Sequence, residues 1–287
     1  MRPTQRVVTI AALTWALDRL ARGEKVALAS IIEAKGSVPG KPGARLVISS
    51  NGGTFGTVGG AGLEKKVENR LKELLFEEDR SRKRGGVVEV FLLHKDGKGK
   101  EVTALDSLCG GQVTIAMEVM EPRPHILIAG GGHVGYSLGI VSDTLGWSHS
   151  VFDVRREYSN EERFPYAEEL ISSPVSDFIS SESKESIMRF SDIILLGHDW
   201  AIDEELLIGI LKLRGDEEKP RIGVIGSKSK WKAFKKSAIG SGIEEGWIDS
   251  VRCPIGLEIG AETPEEIAVA VCAELLCIDR GSSLSKV

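Results

Sequence analysis

The stretch HILIAGGGHVG at residues 125–135 constrains this chain more than any other. An apolar run, Ile126 to Ala129, meets a cluster of glycines. An amphipathic helical pattern follows, with Val134, Leu138, Val141 and Leu145 recurring at i, i+4, i+7 and i+11. Gly130, Gly132 and Gly135 fit G-x-G-x-x-G, and Asp153 closes the next apolar stretch, about where a dinucleotide-binding βαβ unit has its acidic residue. A helix N-terminus presents unpaired N–H groups and the positive end of a dipole, and glycine lets a ligand approach the backbone. The segment therefore predicts a phosphate cradle, against the plainer alternative of a tight structural turn. His133, just inside the helix, is within reach of a phosphate or is simply exposed there.

The motif falls mid-chain, so residues 1–124 need an account of their own. A chain of 287 residues has room for two domains with separate cores. A net charge of −5 argues against a general nucleic-acid binder. Four cysteines without C-x-x-C spacing argue against a structural zinc site built on cysteine alone. So few thiols suit a reducing cytoplasm. No apolar run approaches the roughly 18 residues of a membrane span. Val7 to Leu17 follows two arginines and faintly resembles a signal peptide. Ile10, Leu13, Leu17 and Leu20, however, repeat at helical spacing and predict the buried face of a core helix.

Along the front half, Lys25–Ala34, Ala44–Ser49, Thr54–Val58, Val87–Leu93 and Gln112–Val119 read as strands, with a helix from Leu63 to Glu77. Asn51-Gly52-Gly53 marks a turn. Pro122 and Pro124 bracket a hinge, which divides the chain into 1–121, an α+β domain, and 122–287. Beyond the hinge, strand candidates at 126–129, 150–153, 169–172, 192–196 and 221–225 alternate with helical patterns, which predicts an α/β doubly wound parallel sheet. Thr263, Pro264 and Glu266 predict the capped start of a last helix whose buried face is Ile267, Val271, Leu275 and Ile278.

Other residues carry chemistry in prospect. Asp153 would accept from ribose hydroxyls or a pterin amino group, and Arg155 beside it suits an extra phosphate; the alternative is a solvated loop. Gly226 to Lys230 follows a strand and opens a helix, so Ser227 and Lys228 offer a second anion site or only a solvated lysine cluster. His198 and Asp199, with Asp203 one turn on, follow another strand and could exchange protons, hold a metal or merely start a helix. In the front half, Gly59 and Gly60 precede a helix with Glu64 in its first turn: an anion cradle or a cap. Cys109-Gly110-Gly111 puts a thiol in a flexible turn, where a thiolate could take sulfur or bind a soft metal, although free cysteine is often only a small buried hydrophobe. Cys253, Cys272 and Cys277 read as structural.

Together these pieces resemble the XdhC/CoxI family of xanthine dehydrogenase accessory proteins. The matching stretches are GSVPGKPGARLVI (36–48), GTVGGAGLEKKV (56–67), LCGGQV (108–113), ILIAGGGHVG (126–135), VFDVR (151–155), IGSKSK (225–230) and PIGLEIGAETPEEIAVA (254–270). The resemblance implies an N-terminal domain peculiar to the family, followed by a Rossmann-like domain. It implies a chaperone that binds the molybdenum cofactor (molybdopterin), supports its sulfuration by a cysteine desulfurase and delivers it to a molybdenum hydroxylase. It also implies a homodimer, with Cys109 as the thiol near molybdenum and Gly130, Gly132 and Gly135 as the phosphate cradle. Ala61 stands where the family usually has a third glycine, and Gly62 where CoxI-like members often carry cysteine, which points to the XdhC branch. A nicotinamide-dependent oxidoreductase binding NAD(P), or a nucleotide-responsive partner protein, remains open on the same loop.

Overall fold

A computed structural model describes residues 3–76, 86–93, 102–104, 111–217 and 219–280. The chain divides into two compact units, Met1–Pro122 and Arg123–Val287.

In the first unit a six-stranded sheet runs in the order β3-β2-β1-β6-β4-β5, formed by β1 (Val26–Lys35), β2 (Arg45–Ser49), β3 (Thr54–Thr57), β4 (Val87–Leu92), β5 (Val102–Ala104) and β6 (Gln112–Met120). Its pairings are antiparallel except β4 with β5. Helices cover both faces, which explains why β1 reads as nearly continuous apolar sequence. Ala27, Ala29 and Ile31 face α2 (Ala61–Phe76) through Leu63, Val67, Leu71 and Leu75. Val26 and Leu28 face α1 (Pro3–Ala21). A bulge between Ile31 and Glu33 turns Ile32 out to solvent.

The predicted inner face of α1 is corrected. Ala12 and Ala16 are buried, with Trp15 and Leu20 partly so, whereas Ile10 and Leu17 are 63% and 66% exposed and Leu13 is exposed as well. Two alanines one turn apart let the helix lie close over β1 and β2, and the bulkier stripe is left on the outside.

The second unit is a five-stranded parallel sheet in the order β11-β10-β7-β8-β9. Its strands are β7 (His125–Ala129), β8 (Ser148–Phe152), β9 (Leu170–Ile171), β10 (Asp192–Leu195) and β11 (Arg221–Val224). Numbered within the unit, the order is 3-2-1-4-5, that of dinucleotide-binding folds. Alternate residues of β7 feed opposite layers. Ile126 and Ile128 face α3 (His133–Leu145) and α9 (Pro264–Asp279), while Leu127 and Ala129 face the layer of α4 (Val175–Ser181), α5 (Lys184–Ile187), α6 (Trp200–Arg214), α7 (Lys228–Gly240) and α8 (Glu245–Asp249). The strict strand–helix alternation expected here breaks once: β8 and β9 are joined by a 3-10 turn at Arg156–Tyr158 and irregular chain. Asn160 fastens that connection by accepting from the Arg163 N–H, and Pro165 discourages a helix through it.

Helix α9 starts as its sequence predicts. Thr263 accepts from the Glu266 N–H, and Glu266 accepts in return from the Thr263 N–H. Val271 and Leu275 are buried, with Ile267 and Ile278 packed beside them.

Candidate functional site

The glycine loop joins β7 to α3, and its three motif glycines do different work. Gly130 has φ +120°, and a Cβ there would stand 2.8 Å from the Leu196 backbone. A Cβ on Gly135 would stand 2.0 Å from the Gly130 carbonyl oxygen, so this glycine lets the helix close onto the loop. Gly132 differs: a Cβ there would meet nothing within 4 Å. Gly132 is also the N-cap of α3 and makes no side-chain cap, so no side chain of the N-cap spends the N–H groups of the first turn. His133 is the first residue of α3 and is exposed.

Asp153, just past β8, is 4% exposed and is spent on its own chain. It accepts from the Gly131 N–H at 3.0 Å, the Arg155 N–H at 3.0 Å, and Arg155 Nε and Nη2 at 3.0 and 2.9 Å. Burial pushes its carboxyl up, but the Arg155 guanidinium and the two backbone N–H groups outweigh that and hold it below the usual carboxylate range. The Arg155 guanidinium lies 3.8 Å over the Tyr158 ring. Arg163, from the irregular connection, donates to the carbonyls of Gly131 and Gly132 at 2.8 and 3.1 Å.

Between the diverging ends of β7 and β10 lies a crevice lined by Gly130, Asp153, Gly197, His198, Asp199, Ile202 and Asp203, among others. This is the topological switch point, where open α/β sheets take ligands. Asp199 caps α6 by accepting from the Ala201 N–H, and His198 is exposed. Asp203 is 2% exposed and accepts from Lys230 Nζ at 2.7 Å. Burial raises its carboxyl, and Lys230, the Gly197 N–H and His198 oppose that only in part. A Cβ on Gly197 would stand 2.0 Å from Asp203 Oδ1, so only glycine leaves room for this carboxylate. Ser227 caps α7 by accepting from the Lys230 N–H, and Lys228 is exposed at the first position of that helix. The 226–230 segment thus meets the crevice through Lys230 rather than through the predicted Ser227 and Lys228.

The first unit gathers a glycine cluster of its own. Gly59 and Gly60 have φ +82° and +77°. A Cβ on Gly59 would stand 2.9 Å from the Pro39 carbonyl, one on Gly40 2.1 Å from the Val58 carbonyl, and one on Gly111 2.6 Å from the Ser37 carbonyl. The loop at 36–43 is therefore held against both the 59–60 turn and Gly111. Glu64, in the first turn of α2, accepts from the Thr57 hydroxyl, and Thr57 in turn accepts from the Gly59 N–H. Cys109 and Gly110 lie outside the described residues. Among the described residues no His, Cys, Asp and Glu cluster suited to a metal is found, and no helix is long and apolar enough to cross a membrane.

A family model described as the XdhC Rossmann domain matches residues 126–275, and one described as the XdhC and CoxI family matches residues 19–89. The chain belongs to the XdhC/CoxI family. An Escherichia coli K12 relative, "Uncharacterized protein YqeB", is 29% identical over 87% of this chain and 43% of its own length. A Bacillus subtilis relative, named as a probable xanthine dehydrogenase subunit, is 27% identical over 55% of this chain and 43% of its own length. The matches thus span less than half of these curated relatives. Among solved structures, a xanthine dehydrogenase from Bacillus halodurans is 18% identical with a TM-score of 0.48, covering 95% of this chain and 97% of that one.

Within this XdhC/CoxI chain, Cys272 is buried and Cys253 and Cys277 are partly so. Burial pushes the Cys272 thiol up to about 12 and raises that of Cys253, which disfavours the thiolate at both. Arg163, Gly197 and the pairing of Asp203 with Lys230 were not among the predicted site features. Their partners stand 27 or more residues away or, for Gly197, depend on how a helix folds back, and no local motif announces them.

Proposed function

We propose that this chain is an accessory protein of a xanthine dehydrogenase-type molybdenum hydroxylase. Its cargo is the molybdenum cofactor, which it binds while a cysteine desulfurase exchanges an oxo for a sulfido ligand, and which it then hands to the hydroxylase. The observation that carries the reading is the open face of Gly132 at an uncapped helix start, in a chain with matches to both family models. A pterin cofactor ends in phosphate, and that end fits a cradle of N–H groups without any hydride chemistry. Cys109 would offer a soft ligand to the metal end. The Bacillus subtilis relative's name supports the choice of hydroxylase. The reading further implies a cytoplasmic homodimer.

Protein purified without oxygen should release molybdopterin, identified by mass, and should activate an apo-hydroxylase supplied with sulfurated cofactor. Failure of both results rejects the reading. Cys109→Ser should lower retention or sulfuration while the circular dichroism spectrum is unchanged.

A second reading, a nicotinamide-dependent oxidoreductase, draws on the switch-point crevice and its Asp203 and His198. Turnover of NAD(P)H with a carbonyl substrate would favour it. Nucleotide binding without turnover would favour a regulatory site.

A further inference from the structure

We infer that the end of β8 selects a nucleotide whose ribose carries a 2′-phosphate and turns away one whose ribose diol is free. The inference rests on reading the glycine loop as a phosphate cradle, and it names a second ligand for that loop beyond the proposed cargo. In the usual arrangement a carboxylate at this strand end accepts from the two ribose hydroxyls. Asp153 stands at that place on the crevice wall, yet its capacity is already used. A carboxylate has about four acceptor sites. Here four N–H groups fill them: those of Gly131 and Arg155, and Nε and Nη2 of the Arg155 side chain. A diol would find an acceptor only by prising the guanidinium away and leaving a buried carboxylate without its cation.

A phosphate meets the opposite situation. Arg155 is one quarter exposed, is stacked on Tyr158, and has no hydrogen-bond partner for Nη1 among the described residues. Its plane is therefore fixed while one edge of its donor fork is unspent, the geometry that suits a phosphate oxygen. Arg163 adds a second guanidinium, its carbon 5.6 Å from the centre of the same Tyr158 ring and its nitrogens on the loop carbonyls. Glu157, exposed on the 3-10 turn, is the other carboxylate acting on Arg155, alongside the Tyr158 phenol. Neither of its neighbours Asp153 and Glu157 reaches the free edge by a hydrogen bond.

The test is calorimetric titration of the full chain with NADP+, NAD+, adenosine 2′,5′-bisphosphate and 5′-AMP. Each 2′-phosphorylated probe should bind at least about tenfold tighter than its partner, the worth of one charge-assisted hydrogen bond. Arg155→Ala should abolish the preference, and Arg155→Lys, which keeps the charge but not the fork, should retain part of it. The conservative variant keeps the test alive if the alanine variant does not fold. Equal or tighter binding of NAD+, no binding of any probe, or an unchanged preference in Arg155→Ala overturns the inference. Molybdopterin retention is measured on one portion of the preparation, and the titrations use a portion stripped of pterin, because both ligands claim the same loop. Protein that retains the pterin but ignores all four probes sinks this inference alone, and protein that prefers NADP+ but retains no pterin sinks the cargo reading alone.

Discussion

Gly135 and Gly130 touch backbone to backbone: a methyl on Gly135 would stand 2.0 Å from the Gly130 carbonyl oxygen. Neither a carbonyl nor a packed helix can yield that much. Gly135→Ala should therefore cost about 1–3 kcal/mol, the range for overpacking a rigid site, seen as a lower midpoint in urea. Gly132 is the control. Its Cβ direction is open, so Gly132→Ala should cost no more than about 1 kcal/mol, the loss of a glycine from an N-cap position. The same variant should bind molybdopterin or nucleotide about tenfold more weakly, because the methyl fills the space kept for phosphate. A larger loss of stability in Gly132→Ala, with ligand binding intact, would turn the loop back into a structural turn.

Asp203 and Lys230 make a second prediction. Lys230→Met removes the cation from a carboxylate that is 2% exposed and leaves it the Gly197 N–H. The expected loss is about 2 kcal/mol, below the full figure for a buried pair because Lys230 is itself partly exposed. Asp203→Asn in the Lys230→Met background should recover part of that loss. A double-mutant cycle in urea measures the coupling, and additive single effects would mean that the pair contributes no mutual stabilisation.

The start of α9 gives a local case. Thr263→Ala deletes the acceptor for the Glu266 N–H and leaves Glu266 still accepting from the N–H groups of Glu262 and Thr263. Because half the box survives, the loss should be about 1 kcal/mol. Thermal unfolding followed by circular dichroism checks it, and an unchanged midpoint would show that packing of Val271 and Leu275 alone sets the helix start.

These three cases show what could be read ahead of the structure. The cap of α9 was legible because Thr263, Pro264 and Glu266 interact within four residues of one another. The glycine loop was legible because strand, turn and helix each leave a local pattern, and the parallel sheet followed from their repetition. The inner face of α1 was not. An alanine stripe and an isoleucine–leucine stripe share one period, and the choice depends on how closely the sheet lies beneath the helix. Asp153 was expected at a strand end, but not its capture by Arg155 and Gly131, because a loop's side-chain bonds depend on where the chain turns next. Lys230 stands only two positions beyond Lys228, and the direction of the first turn of α7 decides which of the two lysines reaches the crevice.

Acidification gives the last prediction. Burial lowers the pKa of both His125 and His149 from the ordinary 6.5; nearby acids, Glu169 for His125 and Asp143 for His149, oppose it only in part. His149 is 1% exposed, with Nδ1 3.2 Å from Asp143 Oδ1 but no hydrogen bond to either ring nitrogen. A histidine whose folded pKa lies below its unfolded value takes up its proton more readily in the unfolded chain. Its contribution is therefore complete above 6.5 and is lost as pH falls from there toward the folded value. Asp153 and Glu182, held low by Arg155 and Arg189 against the effect of burial, lose their contributions further down, below their ordinary 3.8 and 4.5. Asp203 has the opposite sign, since its raised carboxyl favours the fold as pH falls. The share of His149 is separated by comparing the parent with His149→Leu in urea at about pH 7.5 and 5.5, a range that brackets the ordinary histidine value. The parent should lose more stability than the variant between those two conditions. An equal loss would mean that the protonated His149 ring is accommodated beside Asp143.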